Sequence, residues 1–267
     1  MDKRPLGVFD SGVGGLTVVK EIIRVLPSEK IVYIGDTARV PWGTRGKKTV
    51  INFSQQLTRF LLQKKVKIVI VACHTASSLA LPLLKRKTKT PVLGVIDPSV
   101  KEAISKSKTG RIGLIGTPAT VKASAWGKAL RREDPQVKVF AIPCPMLVPL
   151  VEEGLVNHQA TRIFTSEYLG PLKKKRIDTL ILGCTHYSLL QETIKKVMGD
   201  VFFVNPGKTT ATALKKFLIK HKIQGNQQKP IHELYFTDLS YRALDDWKNF
   251  SGNLGHVRIK EVDLDNL

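Results

Sequence analysis

Ile68-Val69-Ile70-Val71-Ala72-Cys73-His74-Thr75 and Thr179-Leu180-Ile181-Leu182-Gly183-Cys184-Thr185-His186 read as two copies of one device. Each is an apolar run of strand length, then a small residue, then a cysteine, then a Thr/His pair. Open α/β sheets bind ligands outside the carboxyl ends of their strands, where a cysteine beside polar groups is placed to do chemistry. Two such cysteines, from two related halves, can face one substrate from opposite sides.

Outward from these segments, apolar runs of about five residues alternate with amphipathic stretches of about a dozen, the pattern of βα units in an α/β protein. Strands are predicted near 5–10, 30–35, 67–73, 92–96, 111–115, 137–142, 177–183, 201–204 and 232–237. Helices are predicted near 14–26, 47–65, 76–88, 98–107, 118–132, 145–154, 158–172, 188–199, 208–222 and 239–249. Pro27, Pro91, Pro135 and Pro230 punctuate turns from helix to strand. A weaker repeat accompanies the first: Gly7-Val8-Phe9-Asp10-Ser11 and Gly113-Leu114-Ile115-Gly116-Thr117 each end a strand on a small or hydroxylic residue and lead into a helix. Gly7 and Gly113 are 106 positions apart, Cys73 and Cys184 111, so two homologous halves are expected. The first lies near 1–97 and the second near 98–207. The tail from about 208 is too short for a third half and is expected to pack on the first, giving domains of 1–97 plus 208–267 and of 98–207.

Composition narrows the class. Over 267 residues, 42% are apolar and 24% charged, close to the globular average, which excludes a disordered or collagenous chain. No run approaches the ~18 uncharged apolar residues of a transmembrane helix, so no membrane association is expected. The N-terminal stretch, broken by Asp10 and glycines, does not read as a signal peptide. Three widely spaced cysteines argue against a disulfide framework and for a reducing cytoplasm. The net charge is +21, yet the clusters Lys85-Arg86-Lys87, Arg131-Arg132 and Lys173-Lys174-Lys175-Arg176 sit mostly where helices are expected to end. Cations there complement the helix dipole and are solvated. A basic surface also speeds capture of an anionic substrate.

Asp10-Ser11-Gly12-Val13-Gly14-Gly15 follows a strand and opens a helix, as a dinucleotide fingerprint does, but the third glycine position from Gly12 is Thr17 and Asp10 would meet the pyrophosphate. The glycines instead turn the chain and expose amides that suit a small carboxylate. A lone cysteine is commonly a small buried hydrophobe, and Cys144, between two prolines, reads as one. Cys73 and Cys184, in matching contexts, read as catalytic: a thiol with a reference pKa of about 8.5 can act as base in one direction and acid in the other. A zinc site is not expected, because no ligand pair has the usual spacing and neighbours on a strand end point to opposite sides.

Four ordered stretches carry a resemblance: residues 7–16, residues 35–43 (Gly35-Asp36-Thr37-Ala38-Arg39-Val40-Pro41-Trp42-Gly43), residues 72–77 and residues 183–187. Together they resemble the glutamate racemases of the aspartate/glutamate racemase superfamily, over residues 6 to about 222. The resemblance implies two similar three-layer α/β domains related by pseudo-symmetry, with the active site in the cleft between them. It implies a cofactor-independent, metal-free two-base inversion of L-glutamate and D-glutamate that supplies D-glutamate for peptidoglycan. Carried over by motif, Cys73 and Cys184 are the two bases, Asp10 and His186 orient or shuttle protons, and Glu152 is a supporting carboxylate. Ser11, Pro41, Trp42, Gly43, Thr75, Thr117 and Thr185 match substrate-contacting positions, joined by Asp10, His74 and His186. The family usually has asparagine where this chain has His74, tyrosine where it has Trp42, and proline where it has Ser188, which is expected to cap a helix. The expected partner is glutamate, with a homodimer left open. Two alternatives accompany this reading: a relative acting on aspartate or a related acid, and a weakened enzyme whose basic surface binds nucleic acid or gyrase. The second lacks interleaved aromatics or a helix-turn-helix cue.

Overall fold

A computed structural model describes residues 2–239, 250 and 252–264. Its strands are β1 (Leu6–Asp10), β2 (Ile31–Gly35), β3 (Ile68–Val71), β4 (Val92–Gly94), β5 (Arg111–Gly116), β6 (Lys138–Pro143), β7 (Thr179–Gly183), β8 (Phe202–Val204), β9 (His232–Phe236) and β10 (Val257–Glu261). All pairings are parallel, in two sheets ordered β10-β9-β2-β1-β3-β4 and β6-β5-β7-β8. The order β2-β1-β3-β4 is repeated as β6-β5-β7-β8, so the two sequence repeats are two copies of one topology. The larger sheet adds β9 and β10 beyond β2.

The helices are α1 (Leu16–Val25), α2 (Lys47–Gln63), α3 (His74–Leu79), α4 (Leu81–Lys87), α5 (Ile96–Lys106), α6 (Pro118–Lys122), α7 (Ala125–Glu133), α8 (Leu147–Glu152), α9 (Gln159–Lys174), α10 (Gln191–Met198) and α11 (Pro206–Lys220). Strand side chains alternate between layers, as the pleat requires. Leu6, Val8, Ile68 and Ile70 join Leu180 and Leu182 in one apolar cluster with α1 and α11. Phe9, Val69 and Val71 face the opposite way, onto α2 and α4. Ile112, Leu114 and Ile181 do the same in the smaller sheet, onto α5 and α7. Each such side chain, fully removed from water, contributes about 1.5–3 kcal/mol.

Four sequence expectations need correction. The helix foreseen over 76–88 is two helices parted at Ala80, because Pro82 fits only the first turn of a helix. The helix over 118–132 is broken before Ala125, where Ser124 takes a left-handed conformation with φ 56°. The helix over 188–199 starts as a 3-10 turn at Thr185–Leu190, so Ser188 caps nothing and donates to the Thr185 carbonyl instead. Strand β10 was not foreseen: in Val257-Arg258-Ile259-Lys260-Glu261 charged residues interrupt a half-exposed edge strand. The helix expected at 239–249 lies outside the described residues after Leu239.

A buried ion pair fastens the end of the first sheet. Lys67 Nζ stands 2.6 Å from Glu29 Oε2, with side chains 0% and 3% exposed. The ammonium also donates to the carbonyls of Asp2 and Ile223, and Glu29 Oε1 accepts from the Gly225 N–H. The basic clusters occupy the last turns of α4, α7 and α9. Among the described residues no helix is long and apolar enough to cross a membrane.

Candidate active site

Register brings the two cysteines to matching places. Phe9 pairs with Val71 and Ile115 with Leu182, so the chain leaves β1 and β3, and β5 and β7, at equivalent levels. Cys73 follows β3 and caps α3, its Sγ accepting from the Ala76 N–H at 3.4 Å and donating to Ser11 Oγ at 3.5 Å. Cys184 follows β7, and its Sγ stands 3.7 Å from His186 Nδ1. The other imidazole nitrogen, Nε2, meets Glu152 Oε1 at 3.1 Å. Phe250 sets its ring against the same imidazole, centroids 5.1 Å apart.

Both thiols line one cavity of about 380 Å³ at the carboxyl ends of strands from both sheets. Ser11, Pro41, Trp42, Gly43, His74, Thr75, Thr117, Glu152, Thr185 and His186 share its wall. Asp10 does not: it is fully buried behind Ser11, with Oδ2 accepting the Gly15 N–H at 2.9 Å and Oδ1 unpartnered. Trp42 turns its Nε1 to Asp36 Oδ2 at 3.1 Å, which leaves backbone as the polar part of this segment free for a ligand. The hydroxyls of Thr75, Thr117 and Thr120 form a triangle with edges of 3.0, 3.2 and 2.9 Å that joins α3 to the start of α6.

Burial and neighbouring charge set the protonation states. Burial pushes Asp10 up to about 6, against the positive charge of His186 and the N–H groups of Gly15, Gly12 and Ser11. Burial, and then the Asp10 charge, push the Cys73 thiol up to about 12. Burial alone would lower His186, but the sulfur of Cys184 and the carboxylate of Glu152 outweigh it and carry the imidazole up to about 10. His74, by contrast, is held down to about 3 by burial and by the charge of His186. The half-sites are therefore unlike: one thiol beside an imidazolium, the other beside a hydroxyl and a buried carboxyl.

Sequence reasoning missed the groups that hold this wall. Thr120 completes the hydroxyl triangle, and its spacing from the capping Thr117 was the available signal. Tyr33 Oη donates to the Gly12 carbonyl at 2.5 Å and fixes the glycine loop, which no motif announces. Val40, Pro145, Val148 and Pro149 make part of the wall apolar. Cys144 is buried, and its carbonyl accepts from Tyr187 Oη at 2.7 Å.

Residues 6–214 match the family model for Asp/Glu/hydantoin racemases. The chain is 50% identical over 235 residues to a glutamate racemase of Aquifex pyrophilus, covering 88% of this chain and 89% of that one. A crystal structure of a Bacillus anthracis glutamate racemase is similar with a TM-score of 0.95 and 39% identity over 99% of both chains. A Francisella tularensis glutamate racemase solved in complex with D-glutamate is similar with a TM-score of 0.94 and 34% identity over 100% of both.

Proposed function

Because the chain belongs to the Asp/Glu/hydantoin racemase family, we propose that it interconverts L-glutamate and D-glutamate by a cofactor-independent two-base reaction between Cys73 and Cys184, supplying D-glutamate for peptidoglycan. It is an amino-acid racemase, and glutamate is the substrate named for its close relatives. The single observation that carries the two-base reading is the placement of both thiols on one cavity, each at the end of an equivalent strand of a repeated topology.

Inversion at carbon needs a base on one face and an acid on the other, held close to the reacting atom. On one side, His186 stands as a counter-charge to a thiolate at Cys184, with Glu152 fixing the imidazole from behind. On the other, burial favours the protonated thiol at Cys73, which can deliver that proton. In the reverse direction Cys73 must be the thiolate, and the ammonium of a bound substrate favours that charge. Ser11 and Asp10 stand behind this thiol, with Asp10 close enough to ionising near neutrality to accept or return a proton through its unpartnered Oδ1. The hydroxyls of Thr75, Thr117 and Thr185, with backbone amides around Gly43, offer donors to the two carboxylates.

The test is exchange of the α-proton of each glutamate enantiomer in deuterated water, followed by mass and circular dichroism. Wild type is expected to place deuterium in the inverted product. Cys73→Ser and Cys184→Ser are each expected to slow racemisation by roughly 10²–10⁴-fold, the range for one acid–base group. Racemisation at the wild-type rate in either variant would sink the two-base reading.

A further inference from the structure

His186 follows β7 of the smaller sheet, yet segments of the larger sheet's half pack its ring. A Cβ on Gly14, in the loop after β1, would run into Thr185 Oγ1 and stand 2.7 Å from Nδ1 and Cε1 of His186, so bare backbone lies against the imidazole there. Thr17, on α1, brings its Oγ1 to 3.4 Å from the Thr185 carbonyl oxygen. Phe250, in the segment between β9 and β10, sets its ring centroid 5.1 Å from that of the imidazole, with the planes 74° apart. It is 2% exposed and forms no part of the cavity wall, so it meets His186 from outside the cavity. Phe250 and Leu254 share an apolar cluster with Val13 and Leu16, which ties this segment to the start of α1.

The imidazole needs such a restraint. Its nitrogens meet Cys184 Sγ and Glu152 Oε1, and both contacts depend on one rotation of the ring about its bond to Cβ. That torsion is intrinsically soft in histidine. Glu152 alone is a weak guide, because its side chain is 32% exposed and water competes for its oxygens. A buried apolar ring offers the imidazole no rival hydrogen bond and takes the space that water would fill on that side. The imidazole then keeps the plane in which both nitrogens find their partners. A residue that served the core alone would touch only apolar neighbours, whereas Phe250 also touches a polar ring that lines the cavity.

We propose that Phe250 is a positioning residue for the reaction: from the segment between β9 and β10 it holds the His186 ring in the plane that faces Cys184 and Glu152 and keeps water off it, without touching the substrate. This rests on the amino-acid racemase reading above, and adds to it a residue beyond the 6–214 matched by the family model. Phe250→Leu keeps an apolar side chain without the flat face and Phe250→Ala removes it; each is made alone and together with His186→Asn. With glutamate as substrate, F250A is expected to lower kcat roughly three- to tenfold, the range of one aromatic pair, and to change KM by less than about twofold. F250L should fall between F250A and the wild type. In the H186N background neither change should lower kcat further. Equal falls in both backgrounds, or a raised KM with kcat intact, overturn the proposal.

A second arm needs no substrate. With the histidine rings labelled with ¹³C, relaxation-dispersion NMR is expected to find the His186 ring of the wild type in one conformation, and that of F250A exchanging between conformations on the microsecond-to-millisecond scale. If F250A fails to fold, F250L carries both arms. A His186 ring as quiet in the variant as in the wild type, or one that already exchanges in the wild type, overturns the proposal. If the wild type exchanges no α-proton of glutamate, the functional reading fails by itself, and this arm still decides whether Phe250 holds the ring.

Discussion

At the scale of single residues, the site stores opposed charge preferences that pH can separate. The folded-state value of Asp10, about 6, lies above the ordinary 3.8, so the folded chain holds a proton that the unfolded chain has released between those values. Its burial therefore costs stability as pH rises through that window, and the cost is complete above it. Asp10→Asn is expected to stabilise the fold at pH 8 by up to about 3 kcal/mol in urea melts, with the gain vanishing toward pH 3, while racemisation falls. A variant less stable than wild type at pH 8 would contradict the burial argument. His186 has the opposite sign: raised to about 10, it contributes stability that is complete below about 6.5 and is lost as pH climbs through 10. Glu152→Gln removes one source of that rise, so the alkaline limb of kcat/KM should move to lower pH. An unmoved limb would show that Glu152 does not govern the imidazole. The two thiols and His186 were legible in the sequence because they stand in repeated strand-end motifs. Glu152 was legible as a supporting carboxylate only through the resemblance, and its pairing with His186, 34 positions apart, was not legible at all. The stacking of the His74 ring with the buried indole of Trp126, centroids 5.8 Å apart, left no mark at all, since a tryptophan in a helix looks like any other core residue.

At the scale of elements, the loop between β1 and α1 is shaped by contacts too close for a side chain. A Cβ on Gly35 would run into the carbonyl oxygen of Gly12, the same oxygen that accepts from Tyr33. Gly35→Ala is accordingly expected to displace Ser11 and Gly12 from the cavity wall, costing about 1–3 kcal/mol as overpacking does. It should also weaken glutamate binding, measured by titration calorimetry beside a thermal melt; wild-type values in both would refute the close approach. The strands themselves were plain in the sequence, because buried parallel strands are short and continuously apolar. What escaped were breaks with a local cause, at Pro82 and Ser124, and strand β10. Its charged residues fit an edge that must resist pairing with other chains, which masks the apolar signal.

At the scale of the whole molecule, the pair of Lys67 and Glu29 ties the start of the chain, the larger sheet and the segment after α11 into one cluster. Lys67→Met leaves a buried carboxylate without its counter-charge, and a loss of 3–5 kcal/mol is expected in equilibrium unfolding, as for breaking a buried pair. Replacing both partners, as K67M with E29L, should recover part of that loss; a double variant weaker than the single one would mean that the carboxylate matters chiefly through Gly225. The basic clusters behind part of the net charge of +21 lie on the last turns of α4, α7 and α9, where they complement the helix dipoles rather than hold the core.

The arrangement of strands also bears on the order in which a ribosome can finish this protein. Every strand of the smaller sheet comes from residues 111–204, whereas the larger sheet begins at residue 6 and is complete only when 257–261 has been made. Chains grow from the N-terminus at about 5–20 residues per second and domains generally fold as units. The half that starts first thus closes last, and until residues 232–236 arrive as β9, β2 waits with one edge bare while its sister sheet is already whole.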